Sequence, residues 1–225
     1  MEGRAGEQGR AGEQIASARW RRPRPLPWIA GTISGLAFGY AAYRGYYALG
    51  GTAGLVGEPA SRRQWLALNA VGAVAIALAA LVPLIALPLL RRPVARRCLI
   101  VLFSLAAVGL VMHALIDDLQ RGLSLSGLAD RWHITLVSSS MAGWIWKDQR
   151  TADLQDLLLN ESWFLVEGLL CGALVWTTLR SGVARRWWLV AVLGATCALT
   201  VYGGFAGLGL IGRQIWVPPF VSPDS

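Results

Sequence analysis

Five runs of about twenty apolar residues, 28–49, 65–89, 98–117, 161–180 and 187–211, alternate with shorter segments in which charged residues collect. At 1.5 Å per residue, each run is long enough to cross a hydrocarbon core of ~30 Å as a helix. The pattern predicts an all-α integral membrane protein, a bundle of about five transmembrane helices. Pro83 and Pro88 fall inside the second run. Neighbouring helices can re-satisfy the freed carbonyls, so a kink or an early end is expected there and not a break.

A sixth, weaker pattern lies in the longest connection. Ile134, Val137, Met141 and Trp144 recur at helical spacing, Ser138, Ser139 and Ser140 point elsewhere, and Trp132, Trp144 and Trp146 flank the piece. At about fifteen residues it is short and polar for a span, so 132–146 is expected to form an amphipathic helix lying in the interface. A re-entrant segment or a sixth crossing is the alternative. Leu154, Leu157 and Leu158 extend a helical lead into the fourth run.

Composition agrees with a membrane domain. The chain is 55% hydrophobic and 15% charged over 225 residues, with a mean hydropathy of +0.47. Five spans use about half of that length, which leaves room for one membrane domain, 27–212, and no separate soluble one. Residues 1–26 repeat GRAGEQ in tandem and end in a basic run, and 213–225 carry Pro218, Pro219 and Pro223. Neither can bury much apolar surface, so both are expected to be flexible tails. The apolar run after the basic segment is too long for a signal-peptide core, so a retained first span is expected.

The net charge of +8 could suggest nucleic acid, but the arginines sit at the ends of apolar runs. That placement is an orientation signal, and no nucleic-acid partner is expected. Thirteen of the 21 Lys and Arg fall in the N-terminal tail, in 90–97 and in 180–186; seven fall on the alternate side, and Arg44 lies within the first run. The asymmetry predicts a cell-membrane protein with a cytoplasmic N-terminus and an extracytoplasmic C-terminus.

With that topology five polar residues reach a common depth in the outer leaflet: Arg44, Asn69, His113, Asp117 and Glu167. Ionisable groups at such depth usually face a bundle interior or a wet cavity. Glu167 is expected to pair with Arg44, with His113 as the rival partner. His113 and Asp117 share a helix face at i, i+4, but two ligands make no metal site, and no metal or cofactor motif is present. Gly31, Gly35 and Gly39 in the first run, and Gly203 and Gly207 in the last, recur every fourth residue and read as helix-packing faces. Cys98, Cys171 and Cys197 have no C-x-x-C spacing and read as packing thiols.

At the level of Trp163, Glu167 and the Gly-rich aromatic spans, with their Ala, Leu, Gly, Val and Arg bias, the chain resembles small multi-pass membrane proteins of high-GC Gram-positive bacteria. They form a domain of unknown function, so the resemblance implies a helical membrane fold and carries no catalytic residues. Three classes of function follow. An accessory or structural component that packs on partner membrane proteins ranks first. A small transporter or permease-like protein binding a ligand or ion at the polar cluster ranks second. A membrane enzyme ranks last, because no nucleophile or metal set is apparent.

Overall fold

The computed structural model describes residues 26–131, 134, 136, 143–209 and 211. Ten elements follow in order: α1 (Leu26–Ala48), β1 (Gly57–Pro59), α2 (Arg62–Leu89), α3 (Pro93–Leu125), the single turn α4 (Leu128–Arg131), β2 (Trp144–Lys147), α5 (Gln149–Gln155), a π-helical turn (Asp156–Glu161), α6 (Ser162–Thr178) and α7 (Gly182–Gly207). The described residues form an all-α membrane bundle with a small two-stranded antiparallel sheet.

Among the described residues four helices are long and apolar enough to cross a membrane: α2, α3, the continuous helix Gln149–Thr178 and α7. This corrects the expected five. The segment 28–49 is helical, as α1, but with Thr32, Ser34, Tyr40, Tyr43, Arg44, Tyr46, Tyr47 and its glycines it falls short of the hydropathy that marks the other four as spans. α1 lies against α2 nevertheless, and its packing on α6 is the main helix–helix contact that joins this pair to the rest. In space the helices run α2, α1, α6, α3, α7, so the consecutive helices α2 and α3 barely touch.

Local chemistry sets the helix ends. Ser61 and Ser181 accept from the backbone N–H groups of Gln64 and Ala184, at 3.4 and 3.0 Å, and Pro93 opens α3 where its missing N–H costs nothing. α2 runs through Pro83 and Pro88 to Leu89 without a break. α3 is longer than the predicted 98–117, continuing two turns past Asp117 to Leu125. Gly127, at φ +69°, turns the chain in the left-handed region that glycine alone enters cheaply.

The core is one apolar cluster, Ile33, Ala86, Phe103, Ala107, Cys171, Leu174 and Val175, with Leu26, Leu99, Leu179 and Trp188 packed onto it. It lies toward the end of the bundle where the arginine-rich turns 90–93 and 179–181 are found. Outward-facing Leu68, Val71, Val74 and Leu78 of α2, Val101 and Leu105 of α3, and Val190 and Leu193 of α7 are exposed, as hydrocarbon contact requires. Trp188 donates its indole N–H to Ser104 at 2.8 Å, and Ser104 in turn donates to the Ile100 carbonyl. Both polar groups are thereby satisfied inside an apolar layer.

The expected interfacial helix over 132–146 is corrected where it can be seen. Trp144–Lys147 is a strand, antiparallel to Gly57–Pro59, with Gly57 opposite Lys147, Glu58 opposite Trp146 and a bulge before Pro59. Trp and Ile suit a pleated surface, and the loop after α1 presents an edge that satisfies the strand's backbone groups. Trp132, Val137, Ser138, Ser139, Ser140 and Met141 lie outside the described residues, as do the tails 1–25 and 212–225.

The two glycine faces behave differently. A Cβ on Gly203 would overlap Ile116, and one on Gly207 would reach the Gln120 amide, so α7 approaches α3 through them. Gly39 lies under Trp163 of α6, while a Cβ on Gly31 or Gly35 would meet nothing within 4 Å. Gly168 of α6 lies close against α3, where a Cβ would come within 2.8 Å of a Val111 methyl and 3.1 Å of the Val111 backbone nitrogen. Gly168→Ala should therefore lower the detergent-state unfolding midpoint, at a cost of about 1–3 kcal/mol. Gly109→Ala, where a Cβ meets nothing within 4 Å, should leave it unchanged; equal effects would refute the close approach.

Candidate functional site

The helix that leads into the membrane from the polar end carries Gln149, Asp153, Asp156 and Asn160 at spacings of four, three and four, one polar stripe on an otherwise leucine-rich piece. Asp148 caps its start, accepting from the Thr151 backbone N–H at 3.2 Å and from the Thr151 hydroxyl at 2.6 Å. These bonds hold the Asp148 carboxyl below the usual range. The stripe faces the extension of α3. Arg121 donates to Asp153 Oδ1 at 2.9 Å and pairs with Asp156 Oδ2 at 2.6 Å. Asp153 is fully buried and also accepts from Ser124 at 2.5 Å and Gln149 at 2.7 Å.

Between Asp156 and Glu161 the helix widens into a π turn, closed by Asn160 donating to Asp156 at 2.6 Å and Ser162 donating to the Leu157 carbonyl at 3.0 Å. Such turns insert a residue into the α repeat and re-aim the side chains that follow. Here Glu161 is brought inward, 3% exposed, with Oε2 3.8 Å from His113 Nε2. His113 also lies 3.8 Å from Asp117 Oδ2 and edge-on to the Phe164 ring.

Beside the clamp is a cleft of about 220 Å³ whose wall includes Tyr43, Arg44, Tyr47, Trp65, Arg121 and Lys147. Tyr47 stacks edge-on against Trp65, which packs on Trp144 of β2, so the small sheet is stapled to the helix ends by aromatic contacts. Gln155 donates to the Tyr43 hydroxyl at 3.0 Å, and the Tyr47 hydroxyl donates to the Ala53 carbonyl at 3.0 Å. Lys147 is held below its ordinary pKa, first by burial and then by the Arg121 charge, against which Asp153 and Asp156 pull. The polar lining thus includes three cations together with Asp156, the carboxylate that Arg121 pairs with.

The five polar residues expected to share one depth are distributed over four settings. Arg44 lines the cleft, with its guanidinium lying across Gly72 of α2, and among the described residues it forms no ion pair. Asn69 is buried and donates to the Trp65 carbonyl of its own helix at 2.8 Å. His113 and Asp117 do meet, and Glu161 joins them. Glu167 lines a separate apolar cavity of about 420 Å³ that opens between α2 and α3, with Tyr40, Phe103, Phe164 and Cys171 among its neighbours. The expected Arg44–Glu167 pair does not form, because α6 presents Glu167 toward the α2–α3 gap while Arg44 turns to the cleft.

Arg121, Lys147, Asp153, Asp156 and Glu161 were not singled out by sequence pattern. The 4-3-4 spacing of Gln149, Asp153, Asp156 and Asn160 was the available signal for the first contact, and nothing in the spacing marks the π turn. Breaking a buried pair by removing one partner is strongly destabilising. Asp153→Ala and Arg121→Met should each reduce unfolding free energy in detergent by about 3–5 kcal/mol, and the double variant should lose much less than the sum. Strict additivity would show that the clamp does not act as a unit. Comparison with family models, with curated proteins and with solved structures finds no match to this chain.

Proposed function

We propose that this membrane protein binds an anionic group, a phosphate- or carboxylate-bearing solute or headgroup, in the cleft lined by Arg44, Arg121 and Lys147. The reading falls in the ligand-binding or transport class and is non-enzymatic. The observation that carries it is Arg44: a guanidinium on the wall of a polar cleft, without an ion pair among the described residues, beside two further cations. Arg121 is already committed to two carboxylates, so it supplies field and shape, whereas Arg44 has its fork to offer. Tyr43, Tyr47, Trp65 and Trp144 give the flat walls that position a sugar or headgroup stem.

An accessory role is the second reading, favoured by Gly31 and Gly35, small residues on α1 that no other part of the described chain covers. It requires a partner helix on that face and no ligand in the cleft.

For orientation we infer that the end with Arg91, Arg92, Arg96, Arg97, Arg180, Arg185 and Arg186 faces the cytoplasm, by the positive-inside bias. Leu26 packs toward that end and Gly207 lies beside Gln120 at the other, so the cleft and the C-terminal end of α7 would face outward. A cytoplasm-only reporter fused after Arg97 or Arg186 should be active, and one fused after Lys147 should be silent. The reverse pattern would invert the assignment.

Anion binding is tested on purified protein with inorganic phosphate, with citrate and with nanodiscs containing an anionic lipid. Arg44→Gln should weaken whichever anion binds by roughly 10- to 100-fold, the worth of one charge-assisted contact. Response to the soluble ions identifies a solute site, and response to the lipid alone identifies a headgroup site. No response in any arm would remove the reading and leave the accessory one. The pH dependence has a definite sign. Because Lys147 is held below 10.5 by burial and by Arg121, a bound anion favours its charged form. Affinity should then fall as alkaline pH rises through the lowered value, and Lys147→Met should flatten that limb.

A further inference from the structure

α3 presents His113 and Asp117 one turn apart on a single face, the i, i+4 arrangement that lets two side chains converge on one point. The π turn brings a third donor to that point from the neighbouring helix. One ligand atom each from His113, Asp117 and Glu161 lies within 4.8 Å of the others, and His113 Nε2 is 3.8 Å from both carboxylates. Donor atoms ~2.0–2.2 Å from a tetrahedral centre stand about 3.4 Å apart. The two shorter separations therefore need to close by only a few tenths of an ångström, and the third by a rotation of the more exposed Asp117 carboxylate.

Glu161 gives the independent sign that a ligand belongs there. Its side chain is 4% exposed, and no hydrogen-bond donor reaches Oε2, the oxygen that points at His113. A buried carboxylate oxygen left without a donor is costly. Arg121, a guanidinium on the same helix pair, is engaged by Asp153 and Asp156. Asp118, next along α3, also has a buried oxygen without a hydrogen-bond partner, so the surroundings favour added positive charge. His113, half exposed, leaves a way in and a coordination position open to water or a further ligand.

We propose that His113, Asp117 and Glu161 form a site for a divalent transition metal of the zinc type. One imidazole and two carboxylates with an open fourth position suit zinc and its late first-row neighbours, whereas magnesium and calcium favour all-oxygen sets. The site is separate from the cleft and does not depend on an anion binding there.

The test uses full-length protein in mild detergent, stripped with a chelator and free of any polyhistidine tag, titrated with Zn²⁺. Binding of one Zn²⁺ per chain and a rise in unfolding temperature are expected, since a ligand that binds only the folded state stabilises it by mass action. Glu161→Gln and His113→Gln should each weaken binding at least tenfold, while His133→Gln, at the other histidine, should leave it unchanged. Asp117→Asn, at a more exposed position, serves as the third ligand variant and carries the test if either of the first two fails to fold. The proposal is overturned by the absence of saturable Zn²⁺ binding, by binding that persists unchanged in the folded ligand variants, by loss of binding in His133→Gln alone, or by tighter binding of Mg²⁺ than of Zn²⁺. The Arg44→Gln protein should bind Zn²⁺ as the wild type does, so that failure here and failure of the anion site are read separately.

Discussion

The polar end of the bundle depends on Arg121. Its guanidinium reaches from the last turns of α3 to Asp153 and Asp156 on the helix that leads into α6, and Asp153 is completely enclosed. A charge so buried is tolerated only when its bonds are filled, and Ser124 and Gln149 fill the rest. The consequence is positional. With the helix pinned one turn before Asp156, the π turn starts from a fixed point, and Glu161 is carried to His113. On the other side of the same clamp, Arg121 becomes part of the cleft wall. Two polar groupings thus share one structural pin, His113, Asp117 and Glu161 on the α3 side and the cleft lined by Arg44, Arg121, Lys147 and Asp156 on the other.

Helix packing explains why the interior is uneven. α2 leans on α1 and α3 on α6 and α7, while α2 and α3, joined by a short arginine-bearing turn, barely meet. Close approach is achieved where residues are small, at Gly168 against Val111 and at Gly203 against Ile116. Where Phe103 and Phe164 stand between helices without such matching, an apolar cavity remains, and Glu167 is on its wall. A membrane protein can keep such a gap because lipid chains compete with side chains for the same surface and no water is expelled by closing it.

The aromatic chain along α1 ties the membrane layer to the surface layer. Tyr40 touches Trp163 and Phe164, Tyr43 touches Tyr40 and Tyr47, and Tyr47 reaches Trp65, which reaches Trp144. These rings gather at the C-terminal half of α1. They also account for the correction to the number of membrane-crossing helices, since hydroxyls and an arginine that serve the cleft are among the residues that keep α1 short of the hydropathy marking the other four as spans.

Hydropathy alone determined the class, four of the five expected spans, the tolerance of α2 for Pro83 and Pro88, and the gathering of arginine at the turns, because the cost of exposing backbone and charge to hydrocarbon acts residue by residue. The approach through Gly203 and Gly207 was legible for the same local reason. The partnership of side chains was not. Depth along a helix is readable from a count of residues, but azimuth is set by which neighbour each helix packs against, and that turned Glu167 to a cavity and Arg44 to a cleft. Trp144–Lys147 became a strand because an edge was waiting at Gly57–Pro59, a contact nearly ninety residues away in sequence. Glu161 could not be foreseen as the third member beside His113 and Asp117, since a π turn shifts every later side chain around the axis, and that shift arises from the bonds of Asp156, Asn160 and Arg121 in the folded chain.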